Sequence, residues 1–329
     1  MMSISTSDCR SMLCVGHVCV DLINLCSHYP EEGAKVGTTT ANNRCLEQRW
    51  QRGGNAANNS TVLGLLGAKA AFLGTIADSH EKRFLLDDFA KYGVNTEKVV
   101  VCKGCECSTS FVILSRASAS RTIIHSNKNL PELSVDDFAQ VDLTPYQWIH
   151  FEGRNVANVA QMIKLVREHN KGLPQGEFIT TSVEIEKAKP ELEALIPLVD
   201  VVFVSKDFAV FKGYSNMAET LEGVKAMAHP GAVVVCPWGE EGASACQGSE
   251  VMVCSPAFPP ANVVDTLGAG DTFNAATIFA LAHGSSLEDS IRFGCRIAGA
   301  KVGVIGWEPL RGLLGSGTLL LKKEASLAT

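Results

Sequence analysis

The sequence has no run of apolar residues long enough to cross a bilayer. Its apolar runs, such as Val199 to Val204 and Ala232 to Cys236, are far shorter than the roughly 20 residues that a membrane-spanning helix needs. The amino-terminal stretch is polar and lacks the apolar core of a secretory signal. Blocks of basic residues are also absent, and the formal net charge of the 329-residue chain is -6. We therefore expect a cytoplasmic protein that binds neither membranes nor nucleic acid.

Several familiar catalytic motifs are missing as well. No Gly-x-x-x-x-Gly-Lys-Ser/Thr is present, which excludes a P-loop enzyme. No Gly-x-Gly-x-x-Gly follows the first predicted strand, which weakens a dinucleotide-binding interpretation. His-Glu-x-x-His and Gly-x-Ser-x-Gly are absent too, so zinc proteases and serine hydrolases lack their usual signals.

Cysteine, by contrast, is abundant, with twelve residues in a chain long enough to fold without disulfides. Four of them lie in apolar, strand-like runs: Cys14, Cys19, Cys236 and Cys254. A reduced thiol in such a run behaves as a small hydrophobic side chain. Cys102, Cys105 and Cys107 include a Cys-x-x-Cys pair, but a structural zinc site needs four ligands and no second pair follows. We interpret this cluster as structural.

The order of predicted elements indicates an α/β protein. Leu13 to Ile23 is apolar and predicts one buried strand. From Trp148 onward, continuous apolar strands alternate with amphipathic helices, which is typical of a parallel sheet covered on both faces. After Trp307 the periodicity decays, and we expect a loose tail.

The most informative motif is Val263 to Phe273, where a short strand ends in a Gly-Ala-Gly turn that opens a helix. The backbone N–H groups of Gly268, Ala269 and Gly270 at the positive helix end form an anion cradle suited to phosphate oxygens. Asp271 beside this cradle has two possible roles. It can accept the proton of an attacking hydroxyl during phosphoryl transfer, or it can simply cap its helix. Spacing alone does not separate the two.

A second motif, Arg52 to Asn58, places two glycines before a helix. Glycines let a ligand approach the backbone, and Asn55 and Asn58 fall on one helical face, where their amides suit sugar hydroxyls. The alternative is an ordinary helix start that Asn55 caps. Asp21, near the end of the first predicted strand, is either a third sugar contact or an exposed turn residue.

These motifs resemble the two signatures of the ribokinase-like (PfkB) superfamily of carbohydrate kinases, and the similarity is greatest to its vertebrate-type fructokinases. The resemblance covers about 13–306, and its most specific stretches are 48–55, 148–150, 152–155, 202–207 and 263–274.

The resemblance implies a three-layer α/β/α core with a mostly parallel central sheet and a small β-sheet lid. A single kinase domain would extend over 14–306, with the lid built from about 22–49 and 100–125. The segments 1–12 and 308–329 would be loose termini. The lid would close over the sugar, exclude water and pair with a second subunit to form a homodimer.

The activity that the resemblance implies is transfer of a phosphoryl group from ATP to the 1-hydroxyl of D-fructose, giving fructose 1-phosphate and ADP. Asp271 would be the general base, and the turn of Gly268, Ala269 and Gly270 would be the anion hole. The sugar hydroxyls would be held by Asp21, Gly54, Asn55, Asn58 and Asp271.

The resemblance also implies a set of nucleotide contacts: Arg121, Lys206, Glu240, Gly242, Gly268 and Gly270. Taken alone, the charged members of this set would be ordinary solvent-exposed side chains. Magnesium would accompany the nucleotide, and potassium would act as an activator. Related kinases carry an Asn-x-x-Glu motif for magnesium where this chain has 206–209, Lys-Asp-Phe-Ala, so the magnesium ligands stay unassigned.

Two departures from the family pattern concern the segments 33–43 and 308–329. The first is longer than expected and lacks the acidic residue that would reach a neighbouring subunit's site. The second extends beyond the usual end.

Two other functions fit the sequence less well. One is a ribokinase-like kinase for another sugar or a nucleoside. The other is a non-catalytic sugar- or nucleotide-binding regulator. Asp271 within an intact glycine turn argues against the latter, because a binding protein needs no base there.

Overall fold

The computed structural model describes residues 10–30, 35–36, 39–40, 44–118 and 120–315. The strands of this part of the chain are β1 (Ser11–Val15), β2 (Cys19–Cys26), β3 (Lys35–Val36), β4 (Thr39–Thr40), β5 (Glu47–Gly53), β6 (Ala70–Leu73), β7 (Thr75–Ala77), β8 (Val100–Cys102), β9 (Thr109–Ser115), β10 (Arg121–Ser126), β11 (Tyr146–Glu152), β12 (Thr180–Ile185), β13 (Val201–Val204), β14 (Val233–Pro237), β15 (Ala243–Gln247) and β16 (Val253–Ser255). The α-helices are α1 (Asn55–Leu65), α2 (Glu81–Lys91), α3 (Val135–Ala139), α4 (Val156–Asn170), α5 (Lys206–Phe211), α6 (Met217–Lys225), α7 (Ala269–Ala282), α8 (Leu287–Val302) and α9 (Glu308–Gly315). Short 3-10 helices cover Gln175–Glu177, Pro190–Leu198 and Gly239–Glu241.

The central sheet has eight strands in the order β16-β15-β14-β13-β12-β11-β1-β6. The pairs from β14 to β6 are parallel, and β15 and β16 are antiparallel additions at one edge. Strands such as β13 are buried along their whole length, which explains their unbroken apolar sequence. Helices α1, α2, α7, α8 and α9 contribute to the core on one face of this sheet, and α3, α4, α5 and α6 to the core on the other. The predicted three-layer α/β/α core with a mostly parallel sheet is confirmed.

A separate sheet of four strands, in the order β10-β9-β2-β5, forms the lid. One row across it is Gln51, Asp21, Ser110 and His125. The next row, on the opposite face because successive residues alternate, is Trp50, Leu22, Phe111 and Ile124. Strand β8, which lies within the expected second lid segment, pairs with β7 and not with this sheet.

The predicted strand from Leu13 to Ile23 is in fact two strands in different sheets. The chain leaves the central sheet after Val15 and enters the lid at Cys19. The break falls at Gly16, whose N–H makes the last bond to the central sheet, at the Leu73 carbonyl. Glycine is needed there because a Cβ would lie 2.6 Å from Glu152 Cβ. An apolar run in the sequence does not show which sheet each part of it joins.

The expected loose tail is wrong for its first residues, because α9 is folded onto the core. Leu310 and Leu314 are buried, Lys91 forms a 2.9 Å ion pair with Glu308, and Arg311 donates to the Lys91 carbonyl. Leu310 and Leu314 are four residues apart and so lie on one face of the helix. The glycine-rich composition of the segment makes this helical spacing hard to identify from the sequence.

Other expectations are corrected or lie outside the described residues. Cys254 is exposed, because β16 is an edge strand, whereas Cys14, Cys19 and Cys236 are buried. The segment 33–43 is described only where β3 pairs with β4, and 1–9 and 316–329 lie outside the described residues. Within the described part of the chain, every helix is too short or too polar to cross a bilayer.

Candidate active site

The glycine turn before α7 presents backbone donors. Gly268 has a φ of 76°, and a Cβ on it would lie 2.6 Å from Trp307 Cη2, so only glycine fits this position. Ala269 donates to the Thr266 carbonyl at 3.3 Å. Within the described residues, the N–H groups of Gly268, Gly270 and Asp271 have no protein acceptor. The helix therefore opens with a ready anion-binding site.

The two motifs predicted from the sequence are in contact. Asn58 Nδ2 donates to the Asp271 carboxylate at 2.7 Å, and Asn59 Nδ2 donates to the Asp271 carbonyl at 2.9 Å. Both asparagines lie on α1, which packs against α7. The carboxylate of Asp271 is thus held by the helix that follows the Gly53-Gly54 pair. It makes no capping bond to its own helix within the described residues.

The Gly53-Gly54 pair brings the lid strand β2 against the start of α1. A Cβ on Gly53 would lie 2.2 Å from the Asp21 carboxylate, and a Cβ on Gly54 would lie 2.2 Å from the His17 carbonyl. Asn55 follows at once and donates to Glu186 at 2.8 Å. Asp21, Gly54, Asn55, Asn58 and Asp271 thus lie around one end of α1.

Two glutamates that the sequence did not single out complete this region. Glu184, buried at the end of β12, accepts from Asn274 Nδ2 at 3.0 Å, and Glu186 is the acceptor for Asn55. They line a cavity of about 60 Å³ together with Gly270 and Asp271. The sequence signal that could have identified Glu184 is its position as a carboxylate at the carboxyl end of an apolar strand, where ligands of parallel sheets bind.

The electrostatics of this cavity favour the protonated forms of Asp271 and Glu184. Burial raises the pKa of Asp271 well above its ordinary value, and the charges of Glu184 and Glu186 raise it further, whereas the bond from Asn58 lowers it. Burial likewise raises the pKa of Glu184, with Glu186 adding to the effect. Raised carboxyl pKa values are typical of sites that perform proton transfer.

A second cavity, of about 440 Å³, lies on the other side of the glycine turn. Its walls are mostly apolar and include Phe258, Val263, Phe273 and Val302. Because Gly270 and Pro237 also line the smaller cavity, the two cavities meet at the turn. This is the shape expected for a flat heteroaromatic ring with phosphates that extend towards Asp271.

The predicted nucleotide contacts fall at different distances from this cavity. Glu240 and Gly242 line it. Arg121 reaches from the lid strand β10 to within 2.5 Å of Thr266 Oγ1, and Thr266 lines the cavity. Lys206 lies 3.9 Å from Glu241 and over the Trp238 ring, so it contacts the loop that carries Glu240 and not the glycine turn.

Asp265 and Lys301 form an ion pair behind the glycine turn that no sequence motif predicts. Lys301 is fully buried, and its ammonium group contacts the Asp265 carbonyl and carboxylate at 3.2 and 3.3 Å. The same carboxylate accepts from the N–H groups of Leu267 and Gly306. The ion pair therefore fixes the backbone immediately before Gly268.

Comparison with known proteins assigns the chain to a family. A sequence model described as pfkB family carbohydrate kinase matches residues 10–309. The chain belongs to the pfkB family of carbohydrate kinases. It is 46% identical over 299 residues to ketohexokinase of Mus musculus, which covers 91% of this chain and 98% of the relative. Ribokinase of Bacillus subtilis is 26% identical over 89% of this chain and 93% of its own. Ribokinase of Arabidopsis thaliana, solved with ribose and ATP, superposes with a TM-score of 0.77 at 20% identity, covering 95% of this chain and 99% of that one.

In this pfkB kinase, oxygen ligands for a hard divalent cation are available next to the glycine turn. Magnesium prefers carboxylate, water and phosphate oxygens. Glu184 Oε1 is buried without a partner among the described residues, and Glu186 lines the same cavity. The donor set fits magnesium, although Lys206 to Ala209 offers no Asn-x-x-Glu motif.

Proposed function

We propose that this pfkB kinase transfers the terminal phosphoryl group of ATP to the 1-hydroxyl of D-fructose, giving fructose 1-phosphate and ADP. The observation that carries the proposal is the Asp271 carboxylate at the point where an apolar cleft and a polar cavity meet, beside unpaired backbone N–H groups. The choice of fructose is supported by the 46% identity to a ketohexokinase.

Asp271 accepts the proton of the sugar hydroxyl in this proposal. The hydroxyl O–H bond breaks, the freed oxygen bonds to the terminal phosphorus, and the bond from phosphorus to the bridging oxygen breaks to release ADP. The N–H groups of Gly268 and Gly270, which have no acceptor among the described residues, stabilise the negative charge on the transferring oxygens, and the N–H of Ala269 joins them when it leaves the Thr266 carbonyl. Asp271 must be ionised to accept this proton, and its raised pKa makes the ionised carboxylate a stronger base than an ordinary aspartate.

The sugar lies among Asp21, Gly54, Asn55 and Asn58. The amide nitrogens of Asn55 and Asn58 are engaged by Glu186 and Asp271, and this fixes both side chains. The Oδ1 atom of Asn58 is buried without a partner among the described residues, so it is suited to accept a sugar hydroxyl.

The nucleotide base occupies the apolar cleft, with Glu240 and Gly242 at its edge and Gly268 and Gly270 at the phosphates. Arg121 approaches the phosphates from the lid, and Lys206 lies further out. Glu184 and Glu186 would hold magnesium, and the cation would supply positive charge against the phosphates. Potassium activation, which the family resemblance implies, and a cytoplasmic location complete the proposal.

The enzyme acts as a homodimer that pairs through the lid. The outer row of the lid sheet exposes Phe111 and Ile124 to 49% and 58%, and these residues are cross-strand partners. Together with the exposed Trp50 they form an apolar surface, and such surfaces mark protein interfaces.

The test is an ADP-release assay with fructose, ribose and adenosine as separate acceptors, followed by phosphorus NMR of the product. The proposal predicts the highest kcat/KM with fructose and a phosphate ester at carbon 1. Turnover with ribose or adenosine but not fructose would overturn the substrate assignment. ADP release that no acceptor stimulates would overturn the kinase assignment.

A further inference from the structure

Two histidines and a cysteine come together at the junction of the lid and the core. They are His17 in the link between β1 and β2, Cys19 at the start of β2, and His125 on β10. One ligand atom from each lies within 4.8 Å of the others, and no other such group occurs in the described part of the chain. This set, named the junction cluster here, plays no part in the proposed phosphoryl transfer.

The junction cluster contains an unsatisfied buried nitrogen. His17 is buried, and its Nε2 atom has no partner among the described residues. The backbone N–H of His17 bonds Glu152 at 2.8 Å, which fixes the link, and Ser110 Oγ lies 3.1 Å from His125 Nδ1, which orients that ring. A buried polar atom without a partner costs free energy unless a ligand satisfies it.

We propose that the junction cluster binds a zinc-class divalent cation through His17, Cys19 and His125, with a water molecule as the fourth ligand. The Asp21 Oδ1 atom lies 3.4 Å from Cys19 Sγ, so its negative charge adds to the attraction for a cation without making Asp21 a ligand. Tetrahedral zinc sets its ligand atoms roughly 3.5 Å apart, and the exposed His125 side chain is the member that can shift to close the site.

The charges around the junction cluster are mixed. Arg154 and Lys187 act on His17 with positive charge, and Glu152 and Asp21 supply negative charge. A metal binds the neutral imidazole and the thiolate, so the Cys19 thiol loses its proton to solvent when the cation binds.

The consequence for the enzyme rests on the proposed function. Asp21 is a sugar contact there and lies 3.4 Å from Cys19 Sγ, so a cation bound to Cys19 attracts the Asp21 carboxylate away from the sugar. The cation also connects the β1–β2 link to the lid strand β10 and so holds the lid. The cation therefore inhibits the kinase by raising the KM for fructose.

Cobalt(II) is the probe, because a cobalt–thiolate bond gives a charge-transfer absorption that magnesium does not. The full chain, purified without metal or reductant, is titrated with cobalt(II) and then with zinc. We expect one cobalt ion per chain, the thiolate absorption, and its loss when zinc displaces cobalt. Cys19→Ser abolishes the absorption, and His125→Leu weakens binding at least about tenfold. Cys105→Ser is the matched control and changes neither result.

Several outcomes overturn the proposal. They are an absent thiolate absorption, an absorption that survives Cys19→Ser, and an absorption that Cys105→Ser removes. If Cys19→Ser does not fold, His125→Leu still tests the proposal, because His125 is exposed and its loss should weaken cobalt binding without unfolding the protein. In a second arm, fructose raises the apparent Kd for cobalt, and an unchanged Kd overturns the coupling between the cation and the sugar site. Failure of the proposed function itself would instead appear as no fructose turnover in the metal-free enzyme.

Discussion

Asn58 and Asp271 are 213 positions apart in the chain, yet the Nδ2 atom of the first donates to the carboxylate of the second at 2.7 Å. This bond joins the helix that follows the double glycine to the helix that opens with the Gly-Ala-Gly turn. Burial and the charges of Glu184 and Glu186 raise the pKa of Asp271, whereas this bond lowers it by stabilising the carboxylate. The proton affinity of Asp271 is therefore set by neighbours on α1 and β12.

Replacing Asn58 by Ala removes this bond, so the pKa of Asp271 rises further. A protonated Asp271 cannot accept the hydroxyl proton, so activity is lost as the pH falls through that pKa. We expect the acid limb of kcat/KM for fructose to move to higher pH and kcat at neutral pH to fall about tenfold or more. Asn216→Ala, which removes the cap of the distant helix α6, is the control and leaves the pH profile unchanged.

Glu186→Gln is expected to shift the same profile in the opposite direction. The charge of Glu186 raises the pKa of Asp271, so its removal lowers that pKa and moves the acid limb to lower pH. Glu186 is exposed, so the protein should remain folded and the shift should be partly screened by salt. If the acid limb moves to higher pH in Glu186→Gln, or stays unchanged in both Asn58→Ala and Glu186→Gln, the titrating group is not Asp271.

Gly268→Ala and Gly284→Ala form a matched pair at the two ends of α7. Their φ values are 76° and 77°, so each alanine bears a similar left-handed backbone cost of about 1–2 kcal/mol. Nothing lies within 4 Å of a Cβ on Gly284, whereas a Cβ on Gly268 would meet Trp307. In urea unfolding we expect Gly268→Ala to lose about 1–3 kcal/mol more than Gly284→Ala, and it alone should weaken ATP binding. Equal losses would contradict the close approach of Trp307.

The lid surface is tested by Phe111→Ser with Ile124→Ser in one variant. Loss of both exposed apolar side chains should convert the dimer into a monomer, measured as molar mass by light scattering, with kcat retained in part. Phe178→Ser is the control, because Phe178 is also exposed but lies outside the lid. A dimer that survives the double substitution would place the interface elsewhere.

The sequence alone predicts the core architecture well, for a physical reason. Strands such as β13 are buried on both faces and therefore carry continuous apolar residues, and the turn at Gly268 needs glycine because its φ is positive. The break at Gly16 and the docking of α9 were missed, because each depends on a partner distant in sequence: Glu152 for the first and Lys91 for the second.

Parts of the candidate site were beyond local pattern reasoning for the same reason. Glu184 and Lys301 sit in otherwise apolar or helical stretches, and their importance appears only when Asn274 and Asp265 are placed beside them. Cys19 has the pattern of a core cysteine. His17 is its sequence neighbour, but its proximity to His125 exists because β2 and β10 belong to one sheet.

The most direct test of the central claim is the kcat of Asp271→Asn with fructose and ATP. We expect kcat to fall about 10²-fold or more while calorimetric titration shows near-normal Kd values for both ligands, because asparagine keeps the shape but cannot accept the proton. Asp289→Asn, which also alters an acid in the first turn of a helix but lies on α8, should keep full activity. Near-normal turnover by Asp271→Asn would contradict the account.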